Sequence, residues 1–284
     1  MSHPAAYSGA SPLRAACVQM CSGDDVDANL ARAGEWLKQA AEQGAELALL
    51  PENFAFMSAD DAGKHDVAEP EAESRILDYL SRRAREHRMA VIGGSVPLTH
   101  PDSGKIRNAC PVFSHRGDLL GIYDKIHLFD VDLENERYRE SDTIVAGDMP
   151  VSVKVNDWNI GLSICYDIRF PELYRYYADE ECHLLTVPAA FTVPTGMAHW
   201  ETLLRARAIE NQAYVLAAAQ WGEHPGGRKT WGHSMIIDPW GDVMVEQEES
   251  EGVVVANLDS SLLRRVRLSL PALKHRKFLT DTPG

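Results

Sequence analysis

The chain reads as an α/β protein with one or more mixed sheets. Apolar residues recur at helical spacing in several segments. Short apolar runs of strand length stand between those segments. Some of the runs come in pairs around tight turn signals. Alternation of helix and strand favours parallel pairing, and the hairpins add antiparallel pairing, so a mixed sheet is expected.

Residues 13–20 (LRAACVQM) form a short apolar strand. Residues 27–44 then bring Leu30, Ala33, Leu37 and Ala40 onto one face, with Gly44 as a C-terminal stop, which is the pattern of an amphipathic helix. Residues 45–52 (AELALLPE) make a strand ended by Pro51. The helical pattern returns over 74–87 through Ile76, Leu80 and Ala84, and 89–96 (MAVIGGSV) follow as a strand. Two hairpins are expected, over 108–125 with a turn at Arg116-Gly117-Asp118 and over 151–165 with a turn near Asn156-Asp157. Residues 171–180 look helical, with Pro171 suited to the first turn. Strand 183–191, helix 198–212 and strand 213–221 succeed one another, then a hairpin over 234–247 turns at Pro239-Trp240-Gly241. Segments 252–259 and 262–270 close the pattern.

The 284 residues are 45% hydrophobic, ample for a large core. No Pro/Gly/Ser-rich linker, low-complexity tract or internal repeat interrupts them, so a single domain is expected. The net charge of −14 argues against nucleic acid and anionic membrane as partners, since both reward basic patches. The first twenty residues lack a basic stretch followed by an apolar one, and no run approaches the roughly 18 apolar residues that span a bilayer. A cytoplasmic protein is the expectation. Five cysteines, an odd number, argue against a complete disulfide framework. Cys17 and Cys21 are four apart, and neither HExxH nor paired CxxC occurs, so no metal and no cofactor is called for.

Three polar residues stand at the ends of strand-like runs. Cys165 follows the alternating Ile160, Leu162 and Ile164 and precedes a helix. A thiol there sits near free backbone N–H groups and the positive end of a helix dipole, which favour a thiolate and can hold an oxyanion. It could equally be one more buried structural cysteine, as Cys17, Cys110 and Cys182 are expected to be. Glu52 follows Leu49-Leu50-Pro51; partly buried, it would approach the pKa of a general base, and otherwise it is a solvated loop acid. Lys125, among Ile122, Tyr123 and Ile126, either snorkels to the surface or supplies a buried ammonium that stabilises an oxyanion. Together they make a base, a cation and a nucleophile able to attack a carbonyl and form a thioester.

The stretches LLPENFAF, YDKIHLFDVD and GLSICYDIRFPE resemble, in order and spacing, the Glu, Lys and Cys motifs of the nitrilase superfamily of carbon–nitrogen hydrolases. The resemblance runs over 13–278, leaving 1–12 and 279–284 as flexible termini. It implies an αββα four-layer sandwich, two sheets between helical layers. It also implies Glu52 as general base, Lys125 as oxyanion-stabilising residue, Cys165 as nucleophile and the Tyr166 N–H completing the oxyanion hole. The family uses a second glutamate after the Lys motif; Glu140 matches that place better than Glu136, and its role would be to orient Lys125 and the substrate amide. Asp167, Arg169 and Glu172 would build a polar shell around the thiol.

HLFDVD, CYDIRFPEL, the segment 188–220 and GHSMIIDPWG resemble the amidase branch, and within it the deaminated-glutathione amidases. The implied reaction is hydrolysis of deaminated glutathione to 2-oxoglutarate and cysteinylglycine. The alternatives are an omega-amidase acting on 2-oxoglutaramate and an N-carbamoyl amino acid hydrolase. Arg169 is the candidate for the substrate carboxylate, since a guanidinium fork binds carboxylate in bidentate fashion; a structural salt bridge is the competing role. Phe191 and Thr192 are candidate pocket residues, and His199 and Trp200 are further candidates for the same lining, with a place in the core as the competing reading. Two rivals remain: a Cys–His pair using His127, which would idle the Glu and Lys motifs, and a catalytically silent ligand-binding regulator, which the intact Glu–Lys–Cys set argues against. The resemblance implies a small-molecule amide as partner and a homodimer or homotetramer as assembly.

Overall fold

The computed structural model describes residues 10–59, 61–133 and 136–278. Its strands are β1 (Leu13–Gln19), β2 (Leu47–Leu49), β3 (Ala90–Ile92), β4 (Val96–Thr99), β5 (Ile106–Phe113), β6 (Leu119–Asp124), β7 (Asp130–Leu133), β8 (Glu136–Arg139), β9 (Ser152–Val155), β10 (Trp158–Leu162), β11 (Leu184–Ala189), β12 (Tyr214–Ala219), β13 (Trp221–Glu223), β14 (Lys229–Trp231), β15 (Ser234–Ile237), β16 (Val243–Gln247) and β17 (Gly252–Leu258). The α-helices are α1 (Val26–Glu42), α2 (Arg75–His87), α3 (Glu140–Thr143), α4 (Pro171–Asp179), α5 (Val193–Asn211) and α6 (Ser260–Ser269).

Two mixed sheets carry the fold. The first runs β17-β1-β2-β3-β5-β4, with β6 on the other edge of β5; the second runs β16-β15-β12-β11-β10-β9. Each has a parallel centre, β1-β2-β3 and β10-β11-β12, flanked by antiparallel strands. β1 of the first sheet packs on β12 and β15 of the second. Helices α1 and α2 cover the outer face of the first sheet, and α5, with α4 against it, covers the second. This is the αββα sandwich.

Strand alternation explains the layering. Leu13, Ala15 and Cys17 point into the core between the sheets, while Ala16, Val18 and Met20 point into the core under the helices. With both faces buried, the central strands read as continuous apolar runs. Helix α1 starts at Asp25, whose carboxylate accepts from the Ala28 N–H at 3.0 Å, and ends before Gly44 at φ 80°. Its stripe of Val26, Leu30, Ala33, Leu37 and Ala40 is buried, and a leucine such as Leu37 contributes about 2 kcal/mol by leaving water.

The structure departs from the sequence reading in several places. Residues 89–96 are not one strand: β3 and β4 are separated at Gly93-Gly94. Gly94 has φ 57°, and a Cβ there would lie 2.0 Å from the Pro51 carbonyl oxygen, so only glycine lets the two loops cross beside Glu52. Helix α5 begins at Val193, five residues earlier than expected, because Pro194 stands in its first turn, where its missing N–H costs nothing. The short hairpins β7-β8 and β13-β14 had no pattern long enough to announce them. At the expected flexible N-terminus, residues 10–12 are held: Trp158 Nε1 donates to the Ser11 carbonyl at 3.0 Å, and the Ser260 hydroxyl donates to that of Ala10. The rest of that expectation, 1–9 and 279–284, lies outside the described residues.

Candidate active site

Strand ends from both sheets bring the predicted side chains together. Glu52 follows β2 and is 3% exposed; Lys125 follows β6 and is 2% exposed; Glu140 opens α3 and is 5% exposed. Lys125 therefore does not snorkel. Its Nζ lies 3.0 Å from Glu52 Oε1 and 3.0 and 2.8 Å from the two oxygens of Glu140. The Phe129 N–H donates to Glu140 Oε2 at 2.7 Å, and the Ala190 N–H at the end of β11 donates to Glu52 Oε2 at 2.9 Å. The side chain of Glu136 lies outside the described residues.

Cys165 opens a short 3-10 helix, Cys165–Arg169, and has φ 49°. That left-handed conformation is costly for a residue with a Cβ, by about 1 kcal/mol or more, and must be held by its surroundings. Asp167, fully buried, holds it. Its Oδ2 accepts from the Ile164 N–H at 2.8 Å and the Tyr123 hydroxyl at 2.7 Å; its Oδ1 accepts from the His127 N–H at 3.0 Å and lies 2.7 Å from His127 Nδ1. One carboxylate thus ties the turn bearing the nucleophile to the segment bearing Lys125. His127 is engaged with Asp167, stacks on Phe170 at 3.7 Å between ring centroids, and does not line the cavity, which removes the geometry the Cys–His rival needs.

The thiol is hydrogen-bonded to Glu52 and meets the Ala190 N–H. Burial, then the Glu52 charge, push the Cys165 pKa well above that of an ordinary thiol, and Lys125 offsets only part of this. The expectation of a helix-stabilised thiolate is corrected: the resting form is the thiol. Burial raises Glu52, but the Lys125 and Lys64 ammonium groups and hydrogen bonds from Cys165 and Lys125 outweigh it and leave the carboxylate lowered. Burial disfavours charge on Lys125, yet Glu140 and Glu52 hold its pKa well above the usual lysine value. The site therefore rests as thiol, carboxylate and ammonium, a neutral nucleophile beside a base. Cys17 and Cys110 lie in the core between the sheets, with burial raising both thiols, and burial pushes Cys182 up to about 12.

These groups open onto a cleft also lined by Tyr166, Arg169, Phe191 and Thr192. Arg169 lies over the Tyr166 and Phe191 rings, at 5.7 and 5.3 Å, with Nη1 3.3 Å from His199 Nδ1. It forms no salt bridge among the described residues, so its competing structural role is not realised. Neither His199 nor Trp200 lines the cleft: His199 is exposed, and Trp200 is buried, packs on Phe191 and donates to the His233 carbonyl at 2.8 Å. Glu172 is exposed in the first turn of α4 and does not line the cleft, so it is no part of the polar shell.

Sequence reasoning missed Asn108, Lys64, Tyr138 and Arg228. Asn108 Nδ2 donates to Glu52 at 3.3 Å and to Glu140 at 3.2 Å, keeping the two carboxylates on either side of Lys125. Its one available signal was an amide inside the apolar run of β5. Lys64 lies in a short 3-10 helix, Asp61–Asp66, and Arg228 in the loop before β14, and neither segment has a periodicity to mark it. Among the described residues no cluster of three His, Cys, Asp or Glu side chains could hold a metal ion, and no helix is long and apolar enough to cross a membrane.

The family model described as carbon-nitrogen hydrolase matches residues 14–268. A deaminated glutathione amidase of Synechocystis is 42% identical over 272 residues, covering 94% of this chain and 99% of the relative. An omega-amidase of Danio rerio is 39% identical over 268 residues, covering 94% and 95%. The crystal structure of the Caenorhabditis elegans NitFhit protein superposes with a TM-score of 0.87 at 36% identity, over 95% of this chain and 66% of that longer one. The chain belongs to the carbon–nitrogen hydrolase family of the nitrilase superfamily. It is a hydrolase of carbon–nitrogen bonds other than peptide bonds, an amidase.

Proposed function

We propose that this amidase cleaves a small carboxylated linear amide through a cysteine thioester, with deaminated glutathione as preferred substrate and 2-oxoglutarate and cysteinylglycine as products. The observation that carries the chemistry is the meeting of a neutral thiol, an ionised Glu52 and a charged Lys125 in one buried cluster. Because the thiol rests protonated, Glu52 takes the Cys165 proton as sulfur attacks the carbonyl carbon. The carbonyl oxygen becomes an oxyanion held by the Lys125 Nζ–H and the Tyr166 N–H, a first-turn donor without an acceptor inside its own helix. Collapse breaks the C–N bond, and Glu52 returns the proton to the leaving nitrogen. Water then attacks the thioester, losing a proton to Glu52; the C–S bond breaks and the sulfur regains its proton. Glu140 orients Lys125, and Arg169 holds the acyl-side carboxylate.

The substrate choice is supported by the 42% identity to a protein named deaminated glutathione amidase. The 39% identity to an omega-amidase supports the second reading, 2-oxoglutaramate. Both substrates share the same acyl half, so discrimination must come from the leaving group, and binding energy gained there is usable in the transition state. Side-by-side assays of both amides on one enzyme batch, following 2-oxoglutarate release, test the choice. Higher kcat/KM for deaminated glutathione is expected. The reverse preference makes the protein an omega-amidase.

A further inference from the structure

Arg228 is a cation that the reaction scheme leaves without a task. It lines the same cleft as Cys165, Glu52 and Arg169. Its backbone is fixed by the β13-β14 loop: the His224 N–H donates to the Arg228 carbonyl at 2.8 Å, and Gly226 and Gly227, at φ 79° and 82°, make the turn that delivers it. The guanidinium lies 5.4 Å from the centre of the Tyr138 ring, and Nη2 donates to the Ala190 carbonyl at 3.2 Å. Its Nε is buried and has no hydrogen-bond partner. Among the described residues no carboxylate pairs with it.

A half-buried guanidinium with an unused donor and no counter-ion is unfavourable by itself. A planar anion entering the cleft relieves both deficits, since the guanidinium fork matches a carboxylate. Arg169 likewise forms no salt bridge among the described residues, but it rests on other rings, Tyr166 and Phe191. Both arginines adjoin the Ala190-Phe191 stretch, whose Ala190 N–H meets Glu52 and the Cys165 sulfur. The cleft therefore presents two separately mounted carboxylate forks near one reacting centre. Lys64, the further cation on the wall, is occupied in lowering Glu52.

We propose that Arg228 binds a carboxylate on the leaving-group half of the substrate, so that the enzyme selects amides carrying a carboxylate on each side of the scissile bond. The inference rests on the amidase reading and on Arg169 taking the acyl-side carboxylate. An amide whose leaving group is ammonia offers Arg228 nothing; one whose leaving group is a peptide offers its terminal carboxylate.

The test uses matched amides that share the acyl group and differ only at the leaving-group terminus: cysteinylglycine with a free carboxylate, and cysteinylglycinamide. On wild-type enzyme, kcat/KM should favour the free acid by about ten- to a hundredfold, the range for a charge-assisted hydrogen-bonded pair. Arg228→Gln and Arg228→Ala should bring that ratio close to one. A wild-type ratio near one, needing no variant, overturns the proposal. So does a ratio that survives both substitutions, which would make Arg228 structural or an acyl-side residue. The parent reading fails separately: if 2-oxoglutaramate is the better substrate, the same free-acid and amide pair on the 2-oxoglutaryl group still reports on Arg228.

Discussion

Replacing Asp167 by asparagine tests whether one buried carboxylate holds the nucleophile turn and the lysine segment in register. Asp167 is fully buried and four donors converge on it: the N–H groups of Ile164 and His127, the Tyr123 hydroxyl and His127 Nδ1. An amide matches one oxygen of the carboxylate but puts an NH2 where the other stood. Tyr123 can rotate to accept, and His127 can switch tautomer, but a backbone N–H cannot. Whichever way the new side-chain amide flips, one of the two backbone donors loses its acceptor, at about 1–3 kcal/mol, and the remaining bonds lose their charge assistance, at about 1 kcal/mol each. Asp167→Asn should therefore cost about 3–5 kcal/mol of unfolding free energy, measured by urea denaturation at neutral pH. Its kcat should also fall at least about tenfold, because the turn no longer fixes Cys165 at φ 49° against Lys125. A loss below about 1 kcal/mol with ordinary kcat would refute the reasoning, since four donors cannot converge on a neutral amide at no cost.

Cys165→Ala should fold normally and lose at least about ten-thousandfold in turnover; acyl transfer to Cys17 or Cys110, read by mass spectrometry of trapped enzyme, would end the thioester scheme. Glu52→Gln and Lys125→Arg should each lower kcat by about a hundredfold or more, one removing the proton acceptor and the other altering donor geometry. Near-normal turnover of either would show a bystander. The pH profile follows from the shifts. Glu52 is held below its ordinary 4.5 after burial is outweighed by Lys125 and Lys64, so the working base persists above that lowered value and is lost as pH falls through it. Its contribution to stability has the same sign, present above about 4.5 and lost on acidification. Cys165 is held well above 9.0 by burial and Glu52, so ionisation of the free thiol should not shape the neutral range. The acid limb of kcat/KM should thus lie below 4.5; a midpoint near 6 would assign the base to another group.

The amphipathic stripe of Leu30, Ala33, Leu37 and Ala40, the turns at Gly117 and Asn156, and the placing of Glu52, Lys125 and Cys165 at strand ends were legible because each depends on neighbours a few residues away. The order of the three motifs carried the family. Local pattern could not say what surrounds each group. Asn108 bridges to Glu52 across 56 positions, Asp167 holds Tyr123 across 44, and the Ala190 N–H reaches Glu52 across 138. The thiol's resting protonation also came from outside its own segment, since burial and Glu52 outweigh Lys125 and the Ala190 N–H. Arg228 had no pattern at all until the β13-β14 loop turned it into the cleft. Periodicity and turn chemistry are short-range properties of the chain; dielectric, charge pairing and the shape of a cavity are set by residues that only the folded layers bring together.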